Sequence, residues 1–353
     1  MSNSNLSVET LPEFNNHKMV SFIFDKKTGL RGFIAIHKGN LTHRAFGATR
    51  LWQYKSEIDG LKDALTLSKT MSYKAALAGL PYGGAKGVLI QPNGTLEKEK
   101  KRTLLKTYAH YINYLHGTFI TGADVGIDEN DVKAMRKESS FIVGVNVDPV
   151  KFTVIGIFNS IKECLKEVYG NDQLSNRSFA IQGLGKIGIG LLELLYKNNA
   201  AIYATDINET RMHAVAKSFP HVHLVKPDEI YTQHIDVFSP CALSNCLNSK
   251  TFVKLRCKMV VGGANSQLEN STIGEKLSSR GILYAPDYIV NAGGLISVVD
   301  EYEYTKHNED RILNRVKKIP LTVRKVIQES KKLHKPTNII ADAMAEKIIS
   351  KIV

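Results

Sequence analysis

Cysteine is scarce and badly placed for cross-linking: Cys164, Cys241, Cys246 and Cys257 are the 4 in 353 residues, with no Cys-x-x-Cys spacing. That excludes a disulfide-stapled scaffold and points to reduced thiols. A zinc site on Cys241 and Cys246 would need further ligands that nothing nearby supplies, so no metal is expected. Long apolar runs are missing as well, and residues 1–14 are polar, without a basic segment followed by an apolar one. These absences predict a soluble, unexported, cytoplasmic protein with no membrane partner. Acidic residues are in deficit, 34 against 47 Lys and Arg, for a net charge of +13. The excess invites a nucleic-acid reading, strongest over residues 306–335. That tract, however, carries Ile312, Val316, Ile319, Val323 and Val326 at helical spacing and no aromatic-rich basic motif. A solvated helix face is expected there, and no nucleic-acid partner.

What is present is ordinary globular composition, 43% apolar and 23% charged, in a chain too long for one core. Residues 20–24 and 32–36 flank a turn and predict a β-hairpin. A helix should run from Ser56 to about Lys74, a Gly-rich break over 79–87, and strands at 88–91 and 119–121. After Asp148-Pro149 strands and helices alternate: helix from 155 to 169, strand 178–182, helix 186–198, strand 201–205, then strands near 237–239, 259–262 and 282–284. Such alternation requires a parallel, doubly wound sheet, because each parallel pair needs a crossover helix. The expected fold is therefore two-domain α/β. Residues 1–148, with a C-terminal helix over 332–353, form the substrate and oligomerisation domain. Residues 149–331 form the dinucleotide-binding domain, with a cleft between the two.

Gly183-Leu184-Gly185-Lys186-Ile187-Gly188 is a Gly-x-Gly-x-x-Gly between a strand and a helix, and Asp206 ends the next strand 23 residues after Gly183. The context makes the motif specific. Gly183 allows the tight turn, Gly185 the approach of backbone to pyrophosphate, and Gly188 helix–strand packing, while Asp206 accepts from the ribose hydroxyls. A carboxylate there repels a 2′-phosphate, so NAD is expected over NADP.

Lys74, in Met71-Ser72-Tyr73-Lys74, and Lys86, in Gly83-Gly84-Ala85-Lys86-Gly87, stand among small residues. Small neighbours let a ligand approach, and partial burial beside another cation lowers an ammonium pKa towards that of a usable base. Asp124, between Gly122-Ala123 and Val125-Gly126, adds a proton carrier.

With Gly47-Ala48-Thr49-Arg50, Pro240-Cys241-Ala242-Leu243, Gly263-Ala264-Asn265 and the run from Ala285 to Gly294, these motifs resemble the leucine, valine and phenylalanine dehydrogenase family, a branch of the glutamate dehydrogenase superfamily. The resemblance runs from about Phe22 to near the C-terminus. It implies an oxidoreductase that deaminates an L-amino acid to a 2-oxo acid and ammonia, and a homo-oligomer. It assigns the substrate carboxylate to Lys74, the acid–base role to Lys86 and proton shuttling to Asp124. Thr153, Cys241, Ala242, Asn265 and Asn291 are placed near the nicotinamide, and Gly47 among the substrate-binding residues.

Glutamate dehydrogenases hold the distal carboxylate with a lysine and a serine; this chain has Phe46 and Val298 at the matching positions. The resemblance implies a pocket of Phe46, Gly122, Leu295 and Val298, which would leave a glutamate side chain buried and unpaired, at a cost of roughly several kcal/mol. Leucine and its branched relatives are expected first, with phenylalanine or tryptophan as the alternative because Gly122 admits a ring. A glutamate dehydrogenase and a catalytically silent NAD-binding protein stand further behind. Ser244, Ser266 and the loop 39–44 depart from the family pattern.

Overall fold

The computed structural model describes residues 7–92, 94–242 and 244–352. Contacts divide the chain into two units, Met1–Val147 with Ser297–His307 and Ala345–Val353, and Asp148–Ile296 with Asn308–Met344.

The first unit opens on the hairpin of β1 (Met19–Asp25) and β2 (Leu30–Lys38). Its turn is set by Asp25, whose Oδ1 accepts the Thr28 N–H at 2.8 Å, and by Gly29 in the left-handed region at φ +74°. β3 (Ala45–Trp52), α1 (Glu57–Leu77), β4 (Gly83–Ile90), α2 (Lys98–Asn113), β5 (Phe119–Ala123) and α3 (Glu129–Glu138) follow. Ser56 caps α1 by accepting the Asp59 N–H, and Asp128 with Asp131 forms a capping box on α3. The sheet order is β1-β2-β4-β3-β5, antiparallel among β1, β2 and β4, with β3 parallel to both β4 and β5. Leu61, Ala64 and Leu65 of α1 cover one face against Phe33, Ala35 and Val88. Leu104, Leu105, Tyr108 and Ile112 of α2 cover the other against Ile34, Ile36, Leu51 and Leu89.

Two sequence expectations change here. Residues 45–52, read only as a motif, are strand β3, and the Gly-rich break ends at residue 82, since Gly83 opens the central strand β4. Glycine normally weakens a strand by leaving space beside it. Here the space is taken: a Cβ on Gly84 would lie 2.0 Å from Ser72 N of α1, and one on Gly87 2.1 Å from the Tyr108 hydroxyl of α2. Helices on both faces press directly on strand backbone.

The second unit begins with α4 (Pro149–Tyr169), which starts earlier than expected because Asp148 caps it and Pro149 takes its first position. Next come β6 (Ser178–Gln182), α5 (Lys186–Lys197), β7 (Ala201–Thr205), α6 (Glu209–Ser218), β8 (Val222–Leu224), β9 (Val237–Pro240), β10 (Met259–Val260), α7 (Ser271–Ser279), β11 (Leu283–Tyr284) and α8 (Asp287–Val290). The order β11-β10-β9-β6-β7-β8 is parallel throughout. Counted from β6 it is the doubly wound dinucleotide-binding order.

The chain ends with α9 (Gly293–Glu303), α10 (Glu309–Val316), α11 (Ile319–Leu333) and α12 (Thr337–Ile352). The last helix is divided, where the sequence reading gave all of 332–353 to the first unit. Thr337 and Asn338 donate to the carbonyls of Tyr284 and Ser271, tying the start of α12 to the second unit, while Tyr73 donates to Glu346 and ties its end to the first. Residues 297–307 also go to the first unit, because Glu301 accepts the N–H groups of Gly144 and Val145. In the basic tract Ile312, Val316, Ile319, Val323 and Val326 are all buried, and Arg324 pairs with Glu163. Among the described residues no helix is long and apolar enough to cross a membrane.

Candidate active site

Strand periodicity assembles the first unit's charged groups. Successive side chains alternate between faces, and the register aligns Ala48 with Lys86 on β4 and with Gly122 on β5. Lys86, Ala48 and Gly122 therefore lie in one row on the face that α1 covers, with Phe46 one row before and Arg50 and Asp124 one row beyond. Lys86 is 4% exposed, and its Nζ donates to Asp124 Oδ2 at 2.6 Å. Arg50 Nε donates to the same oxygen at 3.0 Å, and Arg50 Nη1 to Asp63 Oδ2 of α1 at 2.9 Å. Tyr54 donates to that Asp63 oxygen. Burial alone would raise the Asp124 carboxyl, but Lys86 and Arg50 outweigh it and hold it down at about 2. The stabilisation this represents is present above the ordinary carboxylate range and is lost as pH falls through the depressed value.

Lys74 is buried in the last turn of α1, just after the segment that lies on Gly84. The glycines beside Lys86 make room for protein and not for a ligand, contrary to the sequence reading. Beyond Gly84 and Gly87, a Cβ on Gly83 would sit 1.8 Å from Lys38 O and one on Gly47 1.8 Å from Ala85 O. Gly47 thus faces away from Lys86. The small residues on the face that carries Lys86 are Ala48 and Gly122, and a Cβ on Gly122 would come within 3.0 Å of Val143 O.

Phe46 is fully buried beneath Tyr82 at 4.6 Å and Tyr302 at 5.3 Å between ring centroids. Val298, one turn before Tyr302 on α9, meets the 143–144 segment that also borders Gly122. Phe46, Gly122 and Val298 thus come together within the first unit, whereas Leu295 belongs to the second. Arg50, Asp63, Tyr82 and Tyr302 escaped the sequence reading as site residues. The period-2 series Phe46, Ala48, Arg50 carried a signal for Arg50; the others come from elements distant in sequence.

In the second unit Gly183 has φ +96° and lies against Ala242, and a Cβ on Gly188 would be 1.9 Å from Gly183 O. Gly185 caps α5, and a Cβ there would meet nothing within 4 Å. Open space at the amino end of a helix is what a pyrophosphate needs. Lys186 is exposed at that end, and Ile187 packs on Gly263. Asp206 accepts the Leu184 N–H at 2.6 Å, which anchors the turn, and Arg211 approaches it to 3.4 Å. Burial opposes ionisation of Asp206, but those bonds and that of Asn208 hold its carboxyl below the usual value. Asn291 donates to Asn265 Oδ1 at 2.8 Å and to Gly263 O, while its own Oδ1 is buried without a partner. Thr153 donates to Pro149 O in the first turn of α4, against Gly294. Cys241 borders Gly188 and Gly263, and burial pushes its thiol up to about 11, which makes it a neutral wall. Leu243 lies outside the described residues. Ser266, one of the departures from the family pattern, adopts φ +49°, a left-handed conformation that asparagine tolerates better than serine. The residues present fit a dinucleotide.

A parallel sheet in this strand order and a lysine–aspartate pair on a second sheet define a two-unit α/β oxidoreductase. Residues 16–141 match the profile described as Glu/Leu/Phe/Val dehydrogenase, dimerisation domain, and residues 201–350 the profile described as Glutamate/Leucine/Phenylalanine/Valine dehydrogenase. The leucine dehydrogenase of Bacillus cereus is 38% identical over 344 residues, 96% of this chain and 92% of that protein. The phenylalanine dehydrogenase of Lysinibacillus sphaericus is 39% identical over 314 residues, 86% and 81% of the two chains. The crystal structure of L-tryptophan dehydrogenase from Nostoc punctiforme superposes with a TM-score of 0.80 at 36% identity, covering 96% and 97%. The chain belongs to the Glu/Leu/Phe/Val dehydrogenase family, and it is an amino-acid dehydrogenase.

Proposed function

We propose that the chain catalyses the reversible, NAD-dependent oxidative deamination of an apolar L-amino acid, leucine and its branched relatives first. The observation that carries this reading is the buried Lys86–Asp124 pair at 2.6 Å, in a row with Ala48 and Gly122. The first unit takes the amino acid and the second takes NAD, on Gly183, Gly185, Lys186, Ile187, Gly188 and Asp206, with Thr153, Cys241, Ala242, Asn265 and Asn291 towards the nicotinamide. When bound, the nicotinamide supplies the acceptor for the hydride that leaves Cα. Lys74 holds the substrate carboxylate. As it stands Lys86 is paired with a carboxylate, so its Nζ must pass a proton on before it can take one from the substrate ammonium. Loss of the hydride oxidises Cα by two electrons to an iminium; Lys86 and Asp124 then steer water onto that carbon and return a proton to the departing ammonia.

Relatives that differ in their named amino acid are about equally similar to this chain, at 38%, 39% and 37% identity, so the substrate is argued from the side-chain pocket. Phe46 and Val298 offer burial without counter-charge, and Gly47 contributes backbone only. A second reading, an aromatic amino acid, is supported by relatives named phenylalanine and tryptophan dehydrogenase; Gly122 adds little to it, since a Cβ there would already stand 3.0 Å from Val143 O. A family profile described as a dimerisation domain supports a homo-oligomer, and the composition supports the cytoplasm. NADH formation with a panel of L-amino acids tests the reading. Each buried methylene contributes roughly 0.8 kcal/mol, so kcat/KM should climb from alanine through norvaline to leucine, with glutamate nearly inert. Glutamate turned over as well as leucine would overturn the pocket assignment.

A further inference from the structure

Arg50 and Asp63 form a charged row behind the reacting pair. Asp124 Oδ2 is shared by Lys86 Nζ at 2.6 Å and Arg50 Nε at 3.0 Å, and Val125 N–H faces the same carboxylate. Arg50 is itself enclosed, with a side chain 14% exposed, and faces Asp63 of α1 at 2.9 Å, while Tyr54 donates to Asp63. The formal charges of Lys86, Arg50, Asp124 and Asp63 cancel. Any step in which Lys86 gives up its proton removes a cation from Asp124 Oδ2. A buried carboxylate left without a counter-ion takes up a proton and ceases to be an acceptor. Arg50 is the cation that stays, because a guanidinium does not deprotonate in proteins. For the same reason no proton crosses from Asp124 to Asp63, and the traffic at Asp124 is confined to Lys86, substrate and water.

We propose that Arg50 keeps Asp124 aimed at Lys86 and returns it to the ionised state after each proton it carries, and that Asp63, remote from the substrate, acts through Arg50 as a positioning residue. The inference rests on the proposed roles of Lys86 and Asp124. Its test is the pH dependence of kcat in the reductive amination direction, for the full chain and for Arg50→Ala, Arg50→Lys and Asp63→Asn, with folding checked by circular dichroism. Removal of an opposite charge in contact shifts a carboxyl by about 1–3 units, so the acid limb of Arg50→Ala should move up by that much. Millimolar guanidinium should move it back, whereas Arg50→Lys should leave it near its original place at a lower rate. Asp63→Asn gives the sharper sign. Loss of its negative charge alone would move the limb down, whereas loss of its hold on Arg50 moves it up, and an upward shift is expected. A downward or absent shift in Asp63→Asn overturns the positioning role, and an unmoved limb in folded Arg50→Ala overturns the whole inference. If Arg50→Ala does not fold, Asp63→Asn and Arg50→Lys decide it. Undiminished turnover by Lys86→Ala would instead bring down the proposed function itself.

Discussion

Glycine serves opposite ends in the two units. Around Lys86, Gly47, Gly83, Gly84 and Gly87 are filled by the protein's own atoms, at 1.8–2.1 Å from where a Cβ would stand. At the α5 turn of the second unit Gly183 and Gly188 are likewise packed, but Gly185 faces open space. Two glycine-rich motifs that look alike in sequence are thus a packing device in one place and, in the other, leave open space where the proposed dinucleotide would lie. Glycine density is not by itself a sign of a binding site; what a Cβ would strike is.

Four variants break or sharpen that contrast. The largest effect should come from Lys86→Ala, which removes the proposed acid–base group and leaves the glycines intact. Its kcat should fall by about three orders of magnitude or more while NADH still binds, as read by cofactor fluorescence, because the proposed dinucleotide site lies in the other unit. Near-normal turnover would sink the assignment. Gly84→Ala comes next: its methyl would overlap the α1 backbone, neither side can yield cheaply, and destabilisation of about 3 kcal/mol or more is expected in denaturant melts. An unchanged midpoint would show that α1 is less tightly seated than described. Gly185→Ala should behave in the opposite manner, with apo stability held within about 0.5 kcal/mol and dinucleotide affinity reduced roughly tenfold or more by calorimetry. Should its affinity stay intact, the cradle is elsewhere. Asp206→Ser should give the smallest change, narrowing the NAD over NADP preference in kcat/KM by about tenfold. Equal use of both cofactors by the unmodified chain would remove Asp206 from that role.

The acid side of the stability curve carries the same contrast. Asp124 owes its depressed value to charged partners, Asp206 chiefly to backbone N–H groups. Salt should therefore disturb the former more than the latter, although both are screened less than surface pairs.

Local signals in the chain were sufficient for the hairpin at Asp25–Gly29, the alternating strands and helices after Asp148, and the Gly-rich turn with its acid. Each is a short-range pattern whose physics acts over a few residues: side-chain period, capping and turn conformation. Motif resemblance singled out Lys74, Lys86 and Asp124, and the structure pairs Lys86 with Asp124. The sequence could not show that residues 45–52 form a strand between β4 and β5, because which strands pair is decided by packing against neighbours distant in the chain and not by the alternation of the segment itself. Nor could it show that α12 divides between the units, or that Phe46 lies under Tyr82 and Tyr302. The link from Lys86 through Asp124 and Arg50 to Asp63 was equally hidden. Those four residues come from β4, β3, α1 and the residue that follows β5, and only the register of the parallel strands with a helix laid across them brings their charges within hydrogen-bonding distance.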